Sequence, residues 1–327
     1  MPITRKDVVT AEPKPIRAVQ TSMIPIDKMT EILCCPDCRG DLELISAPLG
    51  LRCLSCKEAF SPSDGIFEMF RQADLLDRGF AHYREAYEEH AKRDLFSSPA
   101  DVTQWSWLEV LKSFMGKSAG GLVLDIGSAD GKLGALISEQ VICFDISLTY
   151  LKSARDKALT AVAGKAEALP FKRVFERIVL SNILEHVPKP EAIMAQVQSV
   201  LKPSGTLFII VPYKEDLSWY EDEGVLDPHL SSFDLPRIRN LLRGFRITRH
   251  KFILFTDSRP LYFVKSTVKK FSPGLYRSLR RIRKTLGQEK GKGEFPKWKN
   301  ALNYVPNFIV LPFMRPYLIL IEAKKTE

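Results

Sequence analysis

Long hydrophobic runs are missing from this 327-residue chain. No stretch approaches the roughly twenty consecutive apolar residues that cross a bilayer as a helix, so a transmembrane span is not expected. Residues 1–20 are polar and proline-containing, with no apolar core and no cleavage site, which predicts neither a signal peptide nor a membrane anchor. Residues 1–30 read as a disordered leader. The dinucleotide fingerprint Gly-x-Gly-x-x-Gly is absent, which disfavours a nicotinamide cofactor. So is any Cys-x-x-x-Cys-x-x-Cys set, which excludes the radical chemistry that spacing serves. Histidine is sparse, at five residues, so each one near a candidate site carries weight.

Cysteine is also scarce outside one segment, since five of the six lie between Cys34 and Cys56. Four of them form two pairs, Cys35-Pro-Asp-Cys38 and Cys53-Leu-Ser-Cys56, with fourteen residues between. Each Cys-x-x-Cys turns two thiolates toward one ion, and four thiolates in a tetrahedron are the usual structural zinc set. Rubredoxin-like iron is an alternative for the same ligands. A disulfide scaffold is disfavoured because the rest of the chain has no secreted character, and a cytoplasmic location is expected. Cys34 is out of register with the pairs, and Cys143 lies in an apolar run where a packed thiol is expected.

The stretch from Leu122 to Asp145 organises the rest of the chain. Leu122 to Ile126 is a short apolar run containing one aspartate, Asp125, the pattern of a strand buried on both faces of a parallel sheet. Gly127 and Gly131 then bracket a tight turn in which a ligand can approach the backbone. A second apolar strand, Val141 to Phe144, ends in Asp145, twenty positions beyond Asp125. In a βαβ unit that position offers a carboxylate to ribose hydroxyls. Strand and helix patterns continue to alternate, with helices from Lys132, Leu148 and Glu191 and strands near Ala161, at Arg177 to Ser181 and at Thr206 to Val211. Alternation of this kind predicts a doubly wound, mainly parallel sheet, and 45% apolar residues suffice for a sizeable core.

The turn Asp125-Ile-Gly-Ser-Ala-Asp-Gly131 resembles motif I of class I S-adenosylmethionine-dependent methyltransferases, with Ala129 in place of the middle glycine. Ala163 to Phe171, Phe175 to Pro190 with its Ser-Asn-Ile-Leu-Glu-His, and Val200 to Pro212 resemble the small-molecule branch that methylates ubiquinone and menaquinone precursors. The resemblance implies an α/β Rossmann-like fold with a seven-stranded sheet, its sixth strand at Phe245 and an antiparallel seventh from Tyr317 to Glu322. It also implies S-adenosylmethionine as cofactor. Asp125, Gly127, Ser128 and Gly131 would lie at the methionine and ribose end, Asp145 at the ribose, and Ile146, Ala166 and Glu167 around adenine. Ser181 and Asn182 would sit at the crevice edge, and Tyr83 or Tyr87 would lie on a helix closing over the cofactor. Lys165 departs from the family, which commonly has an aspartate there to accept from the adenine amino group; lysine offers only donors. His186 and His229 are the candidate catalytic residues on the acceptor side.

Residues 31–70 resemble the zinc-ribbon activator of tRNA methyltransferases, so Cys35, Cys38, Cys53 and Cys56 would hold a structural zinc. The expected organisation is then a ribbon at 31–70, a helical lid or linker at 71–115, and a methyltransferase domain at 116–327 interrupted by an insertion at about 256–314. The formal charge is +9, and residues 265–292 hold ten basic residues and one acidic, so all of the excess lies in that insertion. Tyr276, Leu279, Ile282 and Leu286 fall at helical spacing among arginines, a basic amphipathic pattern suited to an anionic membrane surface or to phosphates. Aromatics for base stacking are few there, and no Asn-Pro-Pro-Tyr follows the fourth strand. The ranking is therefore a small-molecule or lipid-like acceptor with peripheral membrane contact first, an RNA methyltransferase second, and a non-catalytic scaffold third.

Overall fold

In the computed structural model of the chain, residues 23–97, 110–116, 120–138, 140–217, 228–258 and 314–326 are described. Trp105, Trp107, nearly all of the 256–314 insertion and the whole basic segment 265–292 lie outside them, as does the leader through residue 22.

A short helix, α1 (Met29–Ile32), precedes an antiparallel three-stranded ribbon of β1 (Leu42–Ser46), β2 (Leu49–Cys53) and β3 (Ala59–Phe60). The chain then contributes β4 (Pro62–Ser63) and β5 (Ile66–Glu68) to a second, larger sheet, and continues into α2 (Gln72–Leu76) and α3 (Arg78–Ser97). Alternation follows: β6 (Val123–Ile126), α4 (Gly134–Ile137), β7 (Val141–Asp145), α5 (Leu148–Asp156), β8 (Thr160–Ala163), β9 (Phe175–Ser181), α6 (Pro190–Val200), β10 (Leu201–Pro212), α7 (Leu235–Leu241), β11 (Phe245–Ser258) and β12 (Met314–Lys325).

The large sheet has the order β11-β12-β10-β9-β6-β7-β8-β5-β4. Strands β5 to β10 run parallel to one another, β4 is antiparallel to β5, and β12 is antiparallel to both β10 and β11. The seven strands predicted from the sequence are all present. The sheet nevertheless has nine strands, because Phe67 and Glu68 pair with Val162 and Ala163 along what would otherwise be the open edge of β8. Covering that edge removes a row of unpaired backbone groups. The helix expected from Lys132 is only four residues long. The Ser138 hydroxyl bonds to both the N–H and the carbonyl of Gln140, a local turn that competes with another helical turn.

Side chains alternate across the strands into two cores. Leu124, Ile126, Ile142, Phe144, Ile178 and Leu180 face one side, and Val123, Cys143, Ala161 and Val179 the other. Both faces are covered, as the near-continuous apolar strands require. The first core also takes in Leu33, Cys35, Leu51, Cys53 and Phe60, so the ribbon and the sheet share one apolar interior. Backbone bonds reinforce the junction: the Cys34 amide donates to the Pro170 carbonyl at 3.0 Å, and the Lys172 amide to that of Ile32 at 2.8 Å. The Arg39 guanidinium donates to the carbonyls of Leu169 and Phe171. Among the described residues, no helix is long and apolar enough to cross a membrane.

Candidate functional site

The order of connection reverses between β6 and β9, which are adjacent in the sheet although β7 and β8 follow β6 in the chain. In open α/β sheets ligands sit in the crevice outside the carboxyl ends of the strands at this switch point. A cavity of about 390 Å³ lies there, within the range of small-molecule sites.

Its floor is built by the two turns that follow β6 and β7. Gly127 has φ +70°, and a Cβ there would stand 3.0 Å from the Ile183 side chain. The turn is closed by the amides of Gly127 and Ser128, which both donate to the Phe144 carbonyl. Ala129, where the family has glycine, also adopts a left-handed conformation at φ +46°. That orientation sends its amide to Asp145 Oδ2 at 2.9 Å, while Asp145 Oδ1 accepts from the Ser147 amide at 2.9 Å. The Asp145 carboxylate is thereby fixed between the two turns, and it lines the cavity beside Ile146. Burial pushes its pKa up to about 6, against the pull of the Ser147 and Ala129 N–H groups.

One wall comes from α3. Asp77 Oδ1 caps this helix by accepting from the amides of Gly79 and Phe80, and Phe80, Tyr83 and Tyr87 line the cavity. Tyr83 and Tyr87 stack with their ring centroids 6.0 Å apart, and Tyr87 packs edge-on against Tyr150. The residue after Tyr87, Glu88, reaches across to α5: it accepts from Ser147 Oγ at 3.0 Å and from the amides of Leu148 and Thr149 at 2.5 and 3.1 Å. A carboxylate at a helix N-terminus is favoured by the exposed N–H groups there. It pins α3 to the turn that holds Asp145.

Gly164, Lys165, Ala166 and Glu167, which follow β8, also line the cavity. Lys165 Nζ stands 3.4 Å from Asp74 and 4.7 Å from the centre of the Phe80 ring. The departure at Lys165 is thus absorbed by α2 and α3, with Asp74 also held bidentately by Arg71. At the far end Asn182, Ile183 and His186 line the cavity after β9. Asn182 Oδ1 is buried and has no hydrogen-bond partner among the described residues.

The Glu185 carbonyl accepts from the amides of Leu230 and Ser231, which brings the His229 loop onto the turn after β9. The His186 and His229 rings meet at right angles with centroids 4.6 Å apart, and Glu215 pairs with His229 Nδ1. Burial pushes the Glu185 carboxyl up to about 7, opposed by the two imidazoles.

Of the residues singled out from the sequence, Gly127, Asp145, Ile146, Ala166, Glu167, Asn182, Tyr83 and His186 line the cavity. Asp125, Ser128, Gly131, Ser181 and His229 do not. Asp125 is fully buried behind the turn, and burial, with Asp145 close by, pushes its carboxyl up to about 7 against the pull of the Gly134 amide. Gly131 has φ +73°, and a Cβ there would be 2.6 Å from the Leu159 side chain; its role is to let the turn pack. Phe80, Glu88, Glu185 and Glu215 were not foreseen. Phe80 follows a legible cap at Asp77, but a contact such as Glu88 on residues 147–149 has no local signature.

At the amino-terminal end, Cys35, Cys38, Cys53 and Cys56 present sulfurs that all lie within 4.8 Å of one another. The Cys35–Cys56 and Cys38–Cys53 pairs are 3.6 and 3.4 Å apart. The residue after each second cysteine, Arg39 and Lys57, has positive φ, at +62° and +66°. Each amide also bonds back to the carbonyl of the first cysteine of its pair, so the two loops are equivalent.

The strand order and the crevice at its switch point are those of the class I methyltransferase fold. Residues 124–209 match the family model described as Methyltransferase domain. A ubiquinone biosynthesis O-methyltransferase of Xanthomonas campestris pv. campestris (strain B100) is 34% identical over 103 residues, covering 28% of this chain and 42% of that protein. A ubiquinone/menaquinone biosynthesis C-methyltransferase of Marinomonas sp. (strain MWYL1) is 33% identical over 135 residues, covering 36% and 54%. The chain thus spans about half the length of the curated relatives it matches. Among solved structures, a chain from the complex between the Haloferax volcanii Trm112 methyltransferase activator and a methyltransferase shares the fold at TM-score 0.50 and 16% identity, covering 75% of this chain and 98% of that one.

Proposed function

We propose that the chain is an S-adenosylmethionine-dependent methyltransferase acting on a small-molecule or lipid-like acceptor. The observation that carries this reading is the Asp145 carboxylate, held by the Ala129 and Ser147 amides in a crevice at the switch point. Each of its oxygens accepts one N–H and keeps a second lone pair for a ribose hydroxyl. Ile146, Phe80 and Ala166 offer apolar surface to the adenine. Tyr83, Tyr87 and Gly127 close around the methionine part, where Asn182 Oδ1 presents an acceptor to an ammonium or hydroxyl. Asp125, Ser128, Gly131 and Ser181 support this surface from behind. The cofactor, when bound, supplies a methyl group on a sulfonium. What the chain must add is alignment of the acceptor with that carbon and exclusion of water, so few reactive side chains are needed. His186 and His229 lie on the acceptor side.

The four cysteines fit a structural zinc. Sulfurs placed tetrahedrally at about 2.3 Å from zinc stand roughly 3.8 Å apart, and the two observed pairs, at 3.6 and 3.4 Å, are close to that. In this reading residues 31–70 are a ribbon, 71–115 a lid and linker, and 116–327 the transfer domain with its insertion at about 256–314. The basic segment 265–292 brings the enzyme peripherally to an anionic membrane on the cytoplasmic side. Relatives that work on quinone precursors support a lipid-like acceptor. Incubation with methyl-labelled S-adenosylmethionine and separate lipid, aqueous and RNA fractions tests it. Label in the lipid or small-molecule fraction is expected; label confined to RNA would overturn this reading.

A further inference from the structure

Glu185 is fully buried, and neither carboxylate oxygen receives a hydrogen bond from any described residue. Burying a carboxylate without donors is costly unless a positive charge compensates it. Beside Glu215 and Tyr317, its neighbours include two imidazoles: one carboxylate oxygen of Glu185 and one ring nitrogen each of His186 and His229 all lie within 4.8 Å of one another. Three atoms no further apart than this share a point within roughly 2.8 Å of each, and a small closure of the side chains reaches the 2.0–2.2 Å of metal bonds. Glu215 supplies a further element. By holding Nδ1 of His229 it makes Nε2 the lone-pair nitrogen and orients the ring, as carboxylates behind metal-bound histidines do.

We propose that Glu185, His186 and His229 form a second metal site, distinct from the cysteine set, which binds a divalent ion such as zinc, manganese or iron(II) at the acceptor end of the cavity. Two imidazoles and a carboxylate are a recurrent donor set for these ions and leave coordination positions open. His186 lines the cavity, as does Leu230 next to His229, so an open position is reachable from the acceptor side. The proposal rests on the methyltransferase reading for its chemical consequence: the acceptor atom is a hydroxyl oxygen, phenolic or enolic. Bound to the ion, the hydroxyl releases its proton to solvent more readily. The oxygen then forms the new bond to the methyl carbon while the carbon–sulfur bond breaks, and its electron pair remains on sulfur as a neutral thioether.

Mn(II) is the direct probe, because a tetrathiolate site does not favour so hard an ion. The full chain, with its cysteine site loaded with zinc, is titrated with Mn(II) and unbound Mn(II) is followed by electron paramagnetic resonance. One bound Mn(II) per chain is expected. Binding should be lost in Glu185→Gln and in His229→Ala, and weakened about 10- to 100-fold in Glu215→Gln, which keeps all three ligands. Circular dichroism and S-adenosylmethionine calorimetry on the same samples show that each variant is folded. A wild-type chain that takes up no Mn(II), or variants that bind it as the wild type does, would overturn the proposal. Failure of the cofactor to bind would instead remove the methyltransferase reading and leave the ion count unchanged.

Discussion

Two aspartates twenty positions apart look alike in the sequence and do different work. Asp145 faces the cavity and is held by two amides, whereas Asp125 lies wholly beneath the turn. The ordinary Asp125 pKa of 3.8 rises in the fold to about 7, burial being the main cause. Over that window the folded chain keeps a proton that the unfolded chain has released, so Asp125 makes stability fall as pH climbs from about 4 to about 7. Asp125→Asn cannot ionise. Urea denaturation at about pH 5 and pH 8 should show the variant losing less stability across that interval than the wild type; an unchanged difference would contradict the assignment. The sequence pattern sets both aspartates at the ligand; the structure separates them, because Asp145 terminates its strand while Asp125 precedes the last residue of its own and turns beneath the loop. The Glu185, His186 and His229 cluster was legible only in part. Its members are 43 or more positions apart except for one adjacent pair, and they meet through contacts without a local signature, such as the backbone bonds from residues 230 and 231 to the Glu185 carbonyl and the Glu215–His229 pair.

At the scale of elements, the strands were readable because strands buried on both faces are continuous apolar runs. The packing of α3 was not, since its contacts depend on side chains that meet only in three dimensions. Glu88 is the clearest case. Glu88→Gln keeps the shape but replaces one acceptor oxygen by a donor and removes the charge at the N-terminus of α5. A loss of about 1–3 kcal/mol is expected. Hydrogen exchange should quicken at the amides of Leu148 and Thr149, which donate to Glu88, and cofactor affinity should fall as α3 loosens. Unchanged protection of these amides would show that α3 is held by its aromatic contacts alone.

At the scale of the molecule, ribbon and sheet share one interior. Leu33, Leu51, Cys53 and Phe60 lie in the same core as Phe171, Phe175 and Ile178, and β5 is a strand of the larger sheet. The cysteine spacing made the ribbon legible, but nothing local in Ile66 to Glu68 announces a partner about one hundred residues away, at Val162 and Ala163. Stripping the zinc proposed for the cysteine set with a chelator should therefore lower the melting temperature of the whole chain in calorimetry; loss of a small separate transition, with the main one unmoved, would show that the two parts melt independently. The central claim is that the crevice between β6 and β9 holds S-adenosylmethionine through Asp145. Isothermal titration with the cofactor and its demethylated product measures it directly, with circular dichroism as the check on folding. Saturable binding by the wild-type chain is expected, weakened in Asp145→Ala by about 1–3 kcal/mol, roughly 5- to 150-fold. No binding at millimolar cofactor, or equal affinity in a folded Asp145→Ala, would contradict the account.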